Sequence, residues 1–419
     1  MILLIFLSFL VFLILGIPVA ISIGLTSLVT LQSQGTSLMI IPQRMFSGTD
    51  SFPLVAVPFF ILGGELLARG RVSERLVQFA ESLLGSLKGG LWVVAVMASM
   101  FFAAISGSGA ATTAAVATPL IPELKKKKYS PEYSAALIAS GGCCGVVIPP
   151  SVPMILYAVI AEQSVARLFL NGFLPGLLMG LVLIVIALVI ANKNNYPAGE
   201  RFSIVSIWKN FKGAIWGIMM PVIILGGIFS GYFTPSEAAV VSVVWALFVA
   251  LFIYKDMTYK DIFEIFIRSA ITMSVIMFII STSTSLSWIL ANWKIPTMIA
   301  DSILSISQNT FILLLLINIV ILLAGIFMET ASALIILTPV FLPIIDGMGV
   351  SRIHFGIIMV LGLAIGMITP PVAINLYVAS TVSKISMERI SKAVVPFLIG
   401  LLFVLLLVTY IPMFFNVIL

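Results

Sequence analysis

Two proline pairs interrupt the chain where a break is hardest to tolerate. Pro149-Pro150 closes the stretch Gly141-Gly142-Cys143-Cys144-Gly145-Val146-Val147-Ile148. Pro370-Pro371 closes Gly362-Leu363-Ala364-Ile365-Gly366-Met367-Ile368-Thr369. Neither stretch holds a charged residue. Proline has no N–H, so a helix carrying such a pair loses the donors to the carbonyls four residues back. Those carbonyls belong to Gly145 and Val146 in the first stretch, and to Gly366 and Met367 in the second. In hydrocarbon a carbonyl without a donor is costly unless a cation, a water or a neighbouring helix satisfies it. The glycines let backbone or ligand approach closely.

Composition places these breaks in hydrocarbon. Of 419 residues, 61% are hydrophobic and 9% charged, where a soluble domain carries about 25% charged residues. Mean hydropathy is +1.23. The fold class is therefore an all-α, multi-span membrane protein. A transmembrane barrel is excluded because the apolar runs are long and continuous. The net charge of +6 reads as basic loops on one membrane face, with no nucleic-acid partner. Cys143 and Cys144 are adjacent, which staples no long loop and fits no metal spacing. His354 is the one histidine, so no His-pair metal site exists. Met1 to Gln43 carries no charge and lacks a basic n-region, which predicts a retained first span.

In chain order, residues 2–33 predict one long bent span, kinked at Gly16-Ile17-Pro18. A polar loop with Arg44 and Asp50 follows, then a short span over 54–68. Val72, Leu76, Phe79 and Leu83 recur at helical spacing, with Glu74, Gln78 and Glu81 between them, as in an interfacial amphipathic helix. Residues 89–124 are two arms of about 15 residues around Ser106-Gly107-Ser108-Gly109. At roughly 22 Å each they are short for a core of about 30 Å, so a re-entrant hairpin is expected. A broken span over 131–161 and a span over 168–192 follow. Asn192 to Lys212 reads as a connector. Spans are expected over 213–229, 236–254 and 269–290, with a basic loop from Lys255 to Arg268. Ile299, Ile303 and Ile306 mark a second amphipathic piece. Arms over 311–327 and 331–345 flank Met328-Glu329-Thr330. The broken span 354–380 and a last span over 394–416 complete the chain.

The halves repeat. Thr118-Pro119 recurs as Thr338-Pro339, Pro149-Pro150 as Pro370-Pro371 and Leu156-Tyr157 as Leu376-Tyr377, at an offset of 220 or 221 residues. Paired interrupted segments in matching halves point to a transporter's binding site. With Lys125–Lys128 inside and alternation from there, 18 of the 22 basic residues fall inside. Arg44, Arg167, Lys294 and Arg352 fall outside. The asymmetry is that of the positive-inside rule. Hairpin one then opens to the cytoplasm and hairpin two to the outside, which makes the repeats inverted.

These pieces resemble the large membrane subunit of TRAP transporters, the tripartite ATP-independent periplasmic class. The motifs that carry the resemblance are Ser106-Gly107-Ser108-Gly109 leading to Thr118-Pro119, then Ile148-Pro149-Pro150-Ser151. Phe233-Thr234-Pro235-Ser236-Glu237-Ala238-Ala239 and Gly366-Met367-Ile368-Thr369-Pro370-Pro371-Val372 follow in the same order. The resemblance covers essentially the whole chain. It implies sodium-driven uptake of an organic acid by an elevator movement across the bacterial inner membrane. It also implies a periplasmic substrate-binding protein and a small four-helix membrane subunit, expected here as a separate chain. In those terms, residues 1–88 are scaffold spans and an arm helix, and 89–161 are the first transport repeat. Residues 162–310 are scaffold spans with a second arm, 311–383 the second transport repeat, and 384–419 a C-terminal span.

The candidate substrate-binding residues are Ser106, Ser108, Gly109 and Thr112 at the first tip, with Ser151 and Asn375 just after the proline pairs. The helix after the tip points its positive end at it. One candidate sodium site joins the Gly145 and Val146 carbonyls to Ser106 or Thr112. The other joins those of Gly366 and Met367 to Thr369, Ser332 and Glu329. Glu329 is an acid inside a long apolar stretch, a functional position by default; it suits sodium or a proton. Each reading has a plain counterpart: small-residue packing at the tip, proline kinks satisfied by neighbours, an acid exposed to water. Cys143-Cys144 and His354 read as structural, and Lys125–Lys128 as a topology signal.

A proton-coupled carrier is the near alternative. An intramembrane serine protease lacks its base, because His354 lies on the face opposite Ser106 and Ser108. A channel does not explain two dead-end hairpins from opposite sides. Hydroxyls dominate the expected site, and no Arg or Lys lies between Lys88 and Lys125. That favours a hydroxylated monocarboxylate such as sialic acid over a C4-dicarboxylate.

Overall fold

The computed structural model describes residues 2–69, 71–197, 203–295, 298 and 309–411. Among these residues every regular element is a helix. Among the described residues eight helices are long and apolar enough to cross a membrane, or nine if one bent pair counts as a single span. The expected amphipathic piece at Ile299, Ile303 and Ile306 lies outside the described residues.

The span expected over 2–33 is two helices, α1 (Ile2–Ile14) and α2 (Val19–Ser33). Gly16 stops α1 at a left-handed φ of +77°. Its N–H reaches the Leu13 carbonyl, and the Ile17 N–H reaches that of Phe12, the glycine stop that satisfies last-turn carbonyls. Helix α2 starts afresh after Pro18 and packs against α1. The loop expected around Arg44 holds a helix, α3 (Ile40–Thr49). The basic loop expected from Lys255 to Arg268 is largely the start of α14 (Tyr259–Asn292), whose 34 residues run about 51 Å. The missed signal was a capping box. Thr258 Oγ1 accepts the Asp261 N–H, and the Asp261 carboxylate accepts the Thr258 N–H at 2.8 Å.

The same device explains one of the sequence motifs. Thr234 and Glu237 form a reciprocal cap at the head of α13 (Pro235–Phe248), and Ser236 ties that head to the Phe52 carbonyl at 2.9 Å. Helix α4 (Ala56–Arg69) packs on α13 and α14, and α2 and α3 pack along α14. Helix α12 (Ile204–Phe229) packs on α13 and takes in nine residues of the expected connector. The amphipathic helix α5 (Val72–Leu84) buries Val72 and Leu76 against α12. These helices pack on one another, and α4 and α5 also pack against residues 90–106, so the buried core is continuous with the rest of the molecule.

The hairpins and breaks make up that remainder. Helices α6 (Gly90–Ser106) and α7 (Gly109–Lys126) are the arms of the first hairpin. The first broken span is α8 (Pro131–Gly142), a short turn α9 (Cys144–Val147) and α10 (Val152–Ile160), bent by 41°. After α11 (Val165–Lys193), the second hairpin is α15 (Thr310–Phe327) and α16 (Thr330–Gly347). The second broken span is α17 (Arg352–Gly366) and α18 (Ile374–Ser383), followed by α19 (Met387–Tyr410). Both proline pairs hold a cis peptide bond. Helix α10 lies on α16 and α18 lies on α7, so each broken span rests its second half on the other hairpin. Helices α11 and α19 pack on each other and on α8 and α17.

Polar ties at the two ends agree with the charge-based topology. Lys125 Nζ donates to the Ser383 carbonyl at 2.7 Å, Arg389 pairs with Glu132, and Arg69 faces Glu264 at 3.7 Å. At the other end Arg352 holds Asp346 at 2.6 Å and reaches the Ala161 carbonyl, whose neighbour Tyr157 donates to the Arg352 carbonyl. Each tie joins elements assigned to the same face.

Candidate functional site

Both hairpin tips and both breaks open onto one cavity of about 480 Å³. The first tip contributes Ser106 through Ala111, and the second contributes Glu329, Ala331 and Ser332. Val146 and Met367 line it from the two breaks. Across from them stand Ile61, Gly64 and Glu65 of α4, with Thr272 and apolar residues of α14 from Ile271 to Ile279.

Four helix N-termini converge there. The lining includes the first turns of α7 (Gly109, Ala110, Ala111), α10 (Val152, Pro153), α16 (Ala331, Ser332) and α18 (Ile374). Each N-terminus carries the equivalent of about half a positive charge. Local sequence fixes three of these starts with side-chain caps. Ser108 accepts the Ala111 N–H and Ser151 accepts the Met154 N–H, as N-caps do. At α16 the cap is Glu329, whose carboxylate accepts from Ala331 at 2.9 Å and Ser332 at 3.3 Å. Glu329 and Glu65 are the charged side chains lining this cavity among the described residues.

The first tip is a compact hydroxyl cluster. Gly107 takes φ +60°, which turns the chain between α6 and α7. Ser106 Oγ lies 2.8 Å from Thr112 Oγ1 and accepts the Ser108 N–H at 3.3 Å. Gly145 is pressed against this cluster: a Cβ there would stand 2.5 Å from both the Ser108 carbonyl oxygen and Thr112 Oγ1. The first break thus touches the first tip. In the second half the contact differs, because Gly366 is pressed against the Gly325 backbone of α15.

Three of the four carbonyls opposite the prolines accept donors that the sequence did not suggest. The Ser151 hydroxyl donates to Val146 at 2.5 Å. The Thr369 N–H donates to Gly366 at 3.0 Å, and the Asn375 N–H to Met367 at 3.0 Å. The donors to Val146 and Met367 lie beyond the proline pairs, at Ser151 and Asn375, whereas the donor to Gly366, Thr369, precedes its pair. A carbonyl has two lone pairs, so each keeps one acceptor position.

The expected site residues divide accordingly. Ser106, Ser108, Gly109, Val146, Glu329, Ser332 and Met367 line the cavity. Thr112 sits behind it, bonded to Ser106. Ser151 is fully buried and spent on capping and on Val146, so it does not face the cavity. Asn375 is also fully buried; its Nδ2 reaches the Ala139 carbonyl at 3.2 Å, and its Oδ1 has no partner among the described residues. Gly145, Gly366 and Thr369 lie behind the lining residues, with Thr369 Oγ1 on the Ile365 carbonyl. Pro149 and Pro150 are buried, whereas Pro370 is half-buried and Pro371 exposed. Glu65 was missed. It is an acid inside the span expected at 54–68, the signal that singled out Glu329.

A second cavity, of about 740 Å³, adjoins the first and shares Glu65 and Ala111 with it. Arg69, Arg71 and Lys255 line it together with Glu74 and Asp256, and it leads to the end of the molecule where Lys125 and Arg389 stand. Among the described residues no three His, Cys, Asp or Glu side chains gather to hold a metal ion. A cation here would meet carbonyl, hydroxyl and single carboxylate oxygens, the ligand set of a hard ion.

In the search of solved structures the chain is similar to the YdaH transporter of Alcanivorax borkumensis, with a TM-score of 0.61 at 12% identity, over 89% of this chain and 88% of that one. That likeness concerns the fold. The chain is 40% identical to the isethionate TRAP transporter permease protein DctMQ of Oleidesulfovibrio alaskensis over 97% of its own length, and it spans 65% of that protein. It is 40% identical to the C4-dicarboxylate TRAP transporter large permease protein DctM of Pseudomonas aeruginosa, covering 93% of this chain and 92% of that one. Residues 6–414 match the family described as "Tripartite ATP-independent periplasmic transporter, DctM component". The chain belongs to this family of large membrane subunits of TRAP transporters.

Proposed function

We propose that the chain takes up an organic acid anion across the bacterial inner membrane by coupling it to sodium entry. The observation that carries this reading is the single cavity shared by both tips, both breaks and four helix N-termini. Converging N-termini attract an anion. Tip oxygens beside the breaks suit a hard cation: Ser106, Thr112, Gly145 and Val146 in one site, Glu329, Ser332, Gly366, Met367 and Thr369 in the other. Two tips that share one cavity, on arms whose flanking charges assign them to opposite faces, support re-entrant hairpins in inverted repeats. The hairpin group moving against the α4–α12–α13–α14 group is the elevator step. Continuity of the cavity with the basic vestibule supports an inward-open arrangement.

The substrate class we favour is a hydroxylated monoanion. Cationic side chains are missing from the described lining, while Ser106, Ser108 and Ser332 supply hydroxyls. Sialic acid fits that class, and so does isethionate, for which one relative is named. A C4-dicarboxylate, for which another is named, fits it less well. The partners in this reading are a small membrane subunit and a periplasmic binding protein that delivers the anion.

The test is uptake into proteoliposomes with the partner proteins present. An inward sodium gradient should drive accumulation, and potassium or ATP should not. Glu329 in the cavity favours a second reading, proton coupling. Uptake driven by a pH gradient at equal sodium on both sides would select that one.

A further inference from the structure

We propose that Glu65 hastens release of the bound anion toward the basic vestibule. The proposal rests on the organic-anion reading above. The carboxylate sits on α4, which packs mainly on α13 and α14 and also touches α6 and α7 of the first hairpin, while the tips belong to the hairpin group. The approach to the tip is close: a Cβ on the preceding residue, Gly64, would stand 3.0 Å from the Ser106 carbonyl oxygen. An anion at Ser106–Gly109 therefore shares its cavity with a fixed negative charge, and no Lys or Arg among the described lining residues offsets it. The same carboxylate lines the vestibule, where Arg69, Arg71 and Lys255 stand. Along this path the side chains change from two carboxylates without a cation to three cations beside two further carboxylates, Glu74 and Asp256, which repels an anion from the cavity and eases it outward. A cation meets the opposite gradient. Glu65 and the tip lie on different sets of helices, so the repulsion exists only in this arrangement of the two. A displaced hairpin group would leave Glu65 behind. The residue lowers anion affinity on the release side without weakening capture on the other.

The experiment uses the purified full chain in saturating sodium, titrated with isethionate, N-acetylneuraminate and succinate. In Glu65→Gln, whichever probe binds the wild type should bind about fivefold tighter, with its dissociation rate falling in step. Glu65→Asp, which keeps the charge, should restore fast release. Glu65→Ser is the second neutral variant should Glu65→Gln fold poorly. Equal or weaker binding in the neutral variants overturns the proposal, as does an unchanged dissociation rate. If no probe binds the wild-type chain at any sodium concentration, the organic-anion reading has failed and takes this proposal with it.

Discussion

The Ser151 hydroxyl donates to the Val146 carbonyl at 2.5 Å, across the two prolines that separate them. Pro149 and Pro150 remove the N–H groups that a helix would have offered, and the side chain just beyond replaces one of them. The same serine caps α10. One residue thus holds the break open and starts the helix whose N-terminus faces the cavity.

Ser151→Ala should remove both roles. The cost is a buried carbonyl without its donor and a lost N-cap, about 1–3 kcal/mol in all. Thermal unfolding in detergent should show the loss, and Ser151→Thr should recover most of it. A melt unchanged from wild type in Ser151→Ala would mean that water or a neighbouring group replaces the hydroxyl at no cost.

Gly145→Ala probes the contact between the first break and the first tip. The new methyl would meet the Ser108 carbonyl and Thr112 Oγ1 at 2.5 Å, so the tip must shift. Overpacking of this kind costs about 1–3 kcal/mol, which should appear as roughly a tenfold weaker apparent sodium affinity. Gly226→Ala is the control, since nothing stands within 4 Å of its Cβ position. Equal sodium dependence in the two variants would separate the Gly145 contact from the ion site.

The architecture was largely legible in the sequence because its signals are local. Apolar run length gives the spans, Ser106-Gly107-Ser108-Gly109 gives a tip, and the proline pairs give the breaks. Misreadings came where a short polar cap decides against composition. Thr258 and Asp261 turn an apparently basic loop into the first turns of α14, and Gly16 splits an apolar run that hydropathy leaves whole. The site was legible only in part. Proline chemistry names the carbonyls that lose a helical donor, but the replacements for three of them come from Ser151, Thr369 and Asn375, whose reach depends on how the chain turns around each proline pair. Glu65 converges on the tip from a helix about 40 residues away in sequence, a relation that no single-sequence spacing encodes.

Glu329 has two separable jobs, and two substitutions divide them. Its carboxylate caps α16 through Ala331 and Ser332 and places a charge in the cavity. Glu329→Gln keeps an acceptor for the cap and removes the charge. It should fold normally but need about tenfold more sodium for half-maximal uptake. Glu329→Ala loses the cap as well and should also melt earlier, by about 0.5–2 kcal/mol of stability. If Glu329→Gln shows wild-type sodium dependence at every pH tested, the carboxylate is a cap alone.

The two proline pairs should answer differently to the same replacement. Pro149-Pro150→Ala-Ala supplies N–H groups that can reach the Gly145 and Val146 carbonyls in a continuous helix, and Val146 would exchange its bond from Ser151 for one from the backbone. Straightening this span must undo a 41° bend in a wholly buried segment. The segment is packed tightly, since a Cβ on Gly172 of α11 would stand 2.9 Å from the Val147 carbonyl. The helical preference of alanine over proline, about 3 kcal/mol per residue, therefore works against packing, and the variant should be destabilised. Pro370-Pro371→Ala-Ala meets less resistance, because Pro370 is half-buried and Pro371 exposed. Its new N–H groups would compete with those of Thr369 and Asn375 for Gly366 and Met367, with little packing to oppose them. That variant should be as stable as wild type or more so. If these carbonyls hold sodium, both variants should lose most sodium-dependent uptake, and the sodium-induced rise in melting temperature should shrink in each. Stability thus separates the pairs while sodium response unites them. A second-pair variant with wild-type uptake and an undiminished sodium shift would confine ion binding to the first break and its hydroxyl-rich tip.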